Sequence, residues 1–278
     1  MRSGAGRDRR RTIATIELIL SAVLTGIDHV ILGVEDVDAA AAEVEAKVGL
    51  RAGAGGRHDA HGTHNRLVWM GDSYVELMGV FEAALAAASW WGRHLLRVLS
   101  DAPAGLAGVV FASSDLDADV RLLRSRGSPV SDPLPGERVR PDGDVVRWRI
   151  GRLPEPDPDL GLTFLIEHDT GAAEWRAADR AARASEAHPL SGTARLARVE
   201  LGVEAPGKTS LRLLREMGLQ FRPSLAGAGA RDASVGSQTL RLLAAQGGAS
   251  ATIVIRAGGL AEPKSVDLLG VRWELVPG

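Results

Sequence analysis

The sequence predicts an α+β fold of tandem βαβββ modules, and three observations carry that prediction. The strand-like segment Ile27-Asp28-His29-Val30-Ile31-Leu32-Gly33-Val34 runs into a capped amphipathic helix, the same strand and helix pattern recurs twice downstream, and each helix is followed by short extended stretches punctuated by Gly, Pro and Asp. Self-similarity of this kind is the signature of repeated supersecondary units. Only the first copy carries a histidine in its opening strand, so one module is equipped for chemistry and its echoes serve shape.

In the first module Asp36-Val37-Asp38 supplies an N-cap and first turn. Val37, Ala41, Val44 and Val48 then form one apolar stripe, and Gly49-Leu50 stops the helix. Arg66 to Met70 and Tyr74 to Val80 read as strands split by a Gly71-Asp72 turn. A helix over Ala88 to Leu99, carrying Trp90 and Trp91, leads to the second copy. That copy opens on Leu106 to Phe111, caps its helix at Ser114-Asp115, and stripes it with Leu116, Val120 and Leu123 before Gly127. Its later strands are Val145 to Ile150 and Leu162 to Glu167. Gly171 to Ser191, rich in Ala, Arg and Glu, reads as a helical connector and marks the domain boundary. The third copy runs from Leu196 to Val203, continues through Leu211, Leu214 and Met217 to Gly218-Leu219, and includes a strand from Gln238 to Leu243. A fourth, shortened unit with a weak helix uses Ala251 to Ile255 and Val271 to Val276. The expected organisation is an extension over 1–25, a first domain over 26–169, a connector over 170–192 and a degenerate second domain over 193–278.

The composition narrows the partners. At 278 residues and 45% apolar content the chain is long enough for two domains with their own cores. A net charge of −2 supplies no positive field to gather phosphates, so nucleic acid is not an expected partner and a small-molecule ligand is. The absence of cysteine excludes disulfides, thiolate catalysis and Cys-type zinc sites, leaving any metal to nitrogen and oxygen ligands. The run from Ile13 to Leu24 after Arg7-Asp8-Arg9-Arg10-Arg11 imitates a secretory signal, but Glu17 interrupts it and the first strand follows almost at once. It is also shorter than the roughly 20 residues that cross a bilayer. The expectation is a loosely packed or disordered extension, no membrane partner and a cytoplasmic location.

A tandem unit that opens on Ile27-Asp28-His29-Val30, starts its helix on Asp36-Val37-Asp38 and closes on Tyr74-Val75-Glu76-Leu77 resembles the vicinal-oxygen-chelate superfamily. Gly62-Thr63-His64-Asn65-Arg66-Leu67 resembles the signature of its glyoxalase-like domain subgroup. The resemblance covers 26–169 well and 193–278 only as degenerate modules. It implies glyoxalase/dioxygenase-type cupped sheets, two modules to a cup, whose inward side chains can hold a divalent metal. It does not imply one reaction, because a fold hosts many chemistries.

Strand geometry places candidate residues on this cup. His29, Ile31 and Gly33 share one face, while Val30, Leu32 and Val34 share an apolar face that suits the helix, so His29 should look into the cup. Tyr74, Glu76 and Met78 share a face of the closing strand, so Glu76 should meet His29. The resemblance implies a metal held by His29 and Glu76, yet the second-module position matching His29 is Gly108, and that matching Glu76 is about Leu165, or Glu167 if the register slips. A metal pair, a metal-free ligand contact and a buried structural pair all remain open. His64, placed at the start of a strand directed to the cup beside Asn65 and Arg66, is the candidate third ligand and, with Glu76, the candidate acid–base residue. His58 and His61 read as solvated loop residues, and His168 as an exposed rim residue. Tyr74 could donate to a bound oxyanion or simply form a wall. Trp148, between Arg147 and Arg149, is an aromatic wall if it points inward; if it points outward, the arginines meet the ligand. Arg198 and Arg241 stand at the matching positions of the third unit. Two functions fit: a metal-dependent lyase or isomerase acting on a substrate with adjacent oxygens, or a non-catalytic protein that sequesters its ligand, as a monomer or homodimer.

Overall fold

The strand expected around His29 runs from Leu24 to Val34 (β1), and its alternation sorts side chains as the period requires. Val30, Leu32 and Val34 join one apolar cluster with the following helix, whereas Ile31 joins a second cluster with Tyr74 and Met78 on the other face. The computed structural model describes residues 24–185, 190, 193–246 and 251–278. The N-terminal basic run and the apolar stretch as far as residue 23 lie outside the described residues, as do residues 186–189, 191 and 192 of the expected connector.

Helix α1, Val37–Glu43, starts where the sequence placed it. The Asp36 carboxylate accepts from the amides of Asp38 at 2.9 Å and Ala39 at 3.0 Å. The last turn, Val44–Val48, widens to π geometry and keeps both valines buried before Gly49 ends it at φ 89°. Strands β2 (Gly53–His58), β3 (Thr63–Met70) and β4 (Ser73–Val80) complete the first module. The single helix expected over Ala88 to Leu99 is two, α2 (Ala83–Ala88) and α3 (Trp90–Asp101). Ser89 is extended between them, and its hydroxyl accepts from the amide of Gly92 at 3.0 Å, capping the second helix. The second module comprises β5 (Ala104–Ser113), α4 (Leu116–Ser125), β6 (Leu134–Val139), β7 (Val145–Arg152) and β8 (Phe164–His168).

These strands close into a barrel in the order β1-β4-β3-β2-β6-β7-β8-β5. β1 runs parallel to β4, pairing His29 with Tyr74 and Ile31 with Glu76, and antiparallel to β5, pairing His29 with Val110 and Ile31 with Gly108. The two antiparallel pairs exchange under a local twofold axis, which makes Gly108 the counterpart of His29 and Val110 that of Ile31. The opposite seam is slight: β2 meets β6 at Arg57 and Val139.

The second half repeats the central strand pairings in an open sheet rather than a barrel. β9 (Arg195–Val203) leads to α6 (Pro206–Met217), which opens on a proline in its first turn and ends at Gly218 with φ 71°. β10 (Phe221–Pro223), β11 (Arg231–Val235), β12 (Gln238–Ala244), β13 (Ala251–Ala257), β14 (Lys264–Leu268) and β15 (Val271–Pro277) complete a sheet in the order β10-β11-β12-β9-β13-β15-β14. Between β13 and β14 the chain turns without a helix. The fold is α+β, as the repeats predict. One apolar cluster joins the outer face of the barrel, with Val30, Leu32 and Phe111, to Val199, Leu201 and Trp273 of the second sheet. Gln238 stitches the two: its Oε1 accepts from the amide of Ile27 at 2.7 Å, and its Nε2 donates to Ser73 Oγ at 2.7 Å.

Within the described part of the expected connector, helix α5 covers Ala177–Ser185. Ahead of it Glu174 takes φ 69°, breaking any helix, and Ala173 and Trp175 pack into the inner cluster of the barrel. Among the described residues no helix is long and apolar enough to cross a membrane.

Candidate functional site

The inner faces of the barrel line a pocket whose empty space, counting the part that opens to solvent, is about 520 Å³. Tyr74, Trp91, Trp148, Phe164 and the connector's Trp175 supply aromatic walls. Trp148 therefore points inward, leaving Arg149 on the outside to pair with Asp117 and Glu167. Its indole lies against Gly136, where any Cβ would overlap the ring nitrogen.

His29 and Glu76 meet inside this cavity. His29 is 3% exposed, and its Nε2 stands 3.5 Å from Glu76 Oε2. The other Glu76 oxygen accepts from Asn65 Nδ2 at 2.5 Å, and Asn65 Oδ1 accepts from the amide of Gly56 at 2.8 Å, so the carboxylate is held in place from β3 and β2. Tyr74 stacks on the His29 ring, with centroids 4.6 Å apart and planes at 13°. Burial pushes the Tyr74 hydroxyl up, and the charges of Asp28 and Glu76 push it further, so it remains a neutral donor.

Behind His29 lies Asp28, whose neighbourhood the period-two rule does not anticipate. The β1–β5 pairing shifts register between Ile27 and His29, a bulge that spends an extra residue on β1. Asp28 Oδ1 accepts from His29 Nδ1 at 2.6 Å, and Oδ2 accepts from His168 Nε2 at 3.0 Å. Burial works to raise the Asp28 carboxyl, but the charge and hydrogen bond of His168, followed by those of His29, hold it well below the usual carboxylate range. His168 is thus no exposed rim residue: Trp175 covers it in a stacked contact of 3.9 Å.

Other expectations need correction. His58, expected in solvent, is 5% exposed; its Nδ1 lies 3.1 Å from Thr63 Oγ1, and burial, then the nearby Arg138 charge, holds it neutral. His61 packs edge-on against Trp91 at 4.2 Å. His64 does not line the cavity. Asn65 pairs with Met78 across β3 and β4 and faces inward, so its neighbours His64 and Arg66 face outward. His64 stands edge-on to Phe81 at 6.1 Å, and Arg66 pairs with Asp38 at 2.6 Å on the surface. Sequence reasoning also missed Arg138, Glu174 and Trp175. Arg138 lies two residues from Gly136 on the inner parity of β6 and is 4% exposed, and its Nη2 donates to Glu174 Oε2 at 2.7 Å. Alternation of Gly136 with Arg138 was its one signal; the connector pair gave none.

The donor set does not fit a metal cage. β5 and β8 run parallel, with Gly108 bridging Leu162 and Phe111 opposite Leu165, so the residue opposite Val110, and hence the counterpart of Glu76, is Phe164. It is neither Leu165 nor Glu167, and the latter is engaged by Arg149 outside. His29 and Glu76 are two donors, and the twofold returns Gly108 and Phe164 in place of the other two. No group of three or more His, Asp or Glu side chains suited to a metal occurs among the described residues.

None of the curated proteins is detectably similar to the sequence. A solved hypothetical protein from Staphylococcus aureus is 17% identical with a TM-score of 0.72, covering 91% of this chain and 99% of its own. Methylmalonyl-CoA epimerase from Mycobacterium tuberculosis is 22% identical over 52% of this chain and 89% of that one, with a TM-score of 0.37. A variant of the Streptomyces coelicolor methylmalonyl-CoA epimerase, in complex with 2-nitronate-propionyl-CoA, is likewise 22% identical, covering 51% and 96%, with a TM-score of 0.37. The sequence itself matches the family described as "Glyoxalase-like domain" over residues 27–217, which spans the barrel, the connector and the first strand and helix of the second sheet. The chain belongs to the glyoxalase-like domain family, within the vicinal-oxygen-chelate superfamily.

Proposed function

We propose that the barrel binds a small organic molecule and that His29 and Glu76 move a proton on it beside a carbonyl group, as an isomerase or lyase does, without a metal. The contact between His29 Nε2 and Glu76 Oε2 inside the cavity supports this most directly. Asp28 accepts a hydrogen bond from the Nδ1–H of His29, so in a neutral ring Nε2 would present a lone pair to a carboxylate oxygen. A proton shared between them would lie within reach of a ligand in the cavity. A positioned group of this kind contributes roughly 10²- to 10⁴-fold to a rate. Asn65 keeps the carboxylate aimed, and the aromatic walls exclude water around an apolar body.

Gly108 and Phe164 favour a second reading, ligand sequestration without turnover, because neither side chain can stabilise charge developing on a substrate oxygen. One experiment separates the two. A panel of small carbonyl compounds is screened for a rise in Tm, and binders are incubated in D2O with exchange at the carbon beside the carbonyl followed by NMR. The expected result is exchange that Glu76→Gln slows at least 100-fold while the Tm rise persists. A Tm rise without exchange selects sequestration, and no Tm rise from any compound rejects both readings.

A further inference from the structure

We infer that the ligand is a flat, uncharged carbonyl compound whose oxygen is held by Arg138, rather than a carboxylate or an organic cation; this rests on the reading of the cavity as a small-molecule site. Arg138 is 4% exposed and lines the cavity. Its Nη2 is committed to Glu174, while its buried Nη1 has no hydrogen-bond partner among the described residues. Trp91 Nε1, in a residue that lines the same pocket, is also buried without a partner among the described residues. Guanidinium and indole N–H groups donate and never accept, and a buried donor left unpaired is costly. The ligand that fits them therefore presents an acceptor.

Charge selects among acceptors. Glu174 already answers the Arg138 cation, Glu76 lines the same pocket, and Asp28 lies behind His29. A ligand carboxylate would add a fourth negative group to a water-poor interior, where repulsion is several times stronger than in water. An organic cation suits the aromatic faces but meets the positive ends of the two unpaired N–H groups. A neutral carbonyl oxygen satisfies the donors without either penalty. Trp148, held flat by Gly136, and Phe164 offer faces to a planar body. The connector supplies the rest of the device: the Glu174 amide donates to Asp179 Oδ2 at 3.0 Å and its carbonyl accepts from Arg183, fixing the carboxylate that holds Arg138.

The test uses the full chain and three probes that share one ring: acetophenone, benzoate and benzyltrimethylammonium, titrated calorimetrically at pH 7. Acetophenone should bind at least tenfold more tightly than the other two. The double variant Arg138→Met/Glu174→Gln removes both charges together, so that no buried carboxylate is stranded, and should weaken acetophenone at least tenfold. Benzoate or the ammonium binding as tightly as the ketone, or a double variant with unchanged affinity, overturns the inference and leaves the small-molecule cavity standing. Failure of all three probes to bind overturns the inference and counts equally against the cavity reading beneath it.

Discussion

Replacing Asp28 by Asn keeps the shape of the side chain and removes its charge, which isolates what the carboxylate does between two imidazoles. Asp28 accepts from His29 at 2.6 Å and from His168 at 3.0 Å while 3% exposed. An amide oxygen can keep one of these bonds, in a weaker neutral form, and the amide NH2 meets the other imidazole donor to donor. Losing one charge-assisted bond costs about 1.5–3 kcal/mol and weakening the other about 1 kcal/mol. The desolvation that Asn no longer suffers offsets part of this, leaving about 3 kcal/mol, at the low end for breaking a buried pair. At roughly 2–4 °C per kcal/mol for a chain of this size, the Tm at pH 7 falls by about 6–12 °C. The pH dependence has a definite sign. The folded-state value of Asp28 is depressed, so its contribution is complete above the unfolded carboxyl value of about 3.9 and is lost as pH falls through the lower folded value. Calorimetric scans should therefore show a gap between wild type and Asp28→Asn that is level from about pH 5 to 8 and narrows below about pH 4. A gap under about 2 °C at neutral pH, or one that opens only in acid, would refute the account of Asp28 as an ionised buried acceptor.

Two further variants probe the walls and the outside of the site. Gly136→Ala should push the Trp148 ring off its seat, lowering stability by about 1–3 kcal/mol and changing the near-ultraviolet circular dichroism; an unchanged spectrum and Tm would show that the indole does not depend on that glycine. Arg66→Ala combined with His64→Ala removes an exposed ion pair and an outward-facing ring, so stability should change by no more than about 1 kcal/mol and affinity for the cavity ligand should stay the same, whereas a tenfold loss of affinity would return His64 to the site.

The repeats were legible because each copy carries a complete local grammar: an alternating strand, a capped helix and a glycine stop. The meeting of His29 with Glu76 followed from parity once the family resemblance set the first and last strands of the module side by side. His64 was misplaced although the means to place it were present. The Gly71-Asp72 turn pairs Met70 with Ser73, and counting back along β3 from that pair sets Asn65 opposite Met78, an inward residue, which sends His64 and Arg66 outward. Apolar residues on both faces at the end of β3 hid this, since Leu67 faces the cavity while Val68 and Met70 face the helix side. Asp28 was illegible for a different reason. A bulge adds a residue to one strand of a pair, and no period within a single strand reports it. Arg138, Glu174 and Trp175 depend on contacts between segments far apart in sequence, and the connector pair has no counterpart in the repeats to call attention to it.

The second sheet fills the positions of the candidate site differently. By register, Arg198 and Arg241 occupy the places of His29 and Glu76, and Glu200 that of Ile31. There Arg198 donates to Glu200 at 2.5 Å, Arg241 donates to the same oxygen at 3.1 Å, and the Arg241 fork closes on both oxygens of Asp232 at 2.7 and 2.8 Å. These charges are satisfied by one another, so a ligand entering that face would have to displace bonds already made. In the barrel the same architecture leaves Arg138 Nη1, Trp91 Nε1 and His168 Nδ1 buried and unanswered around one cavity. Each such atom is a cost, and a ligand that paired with them, as the proposed function requires, would recover it.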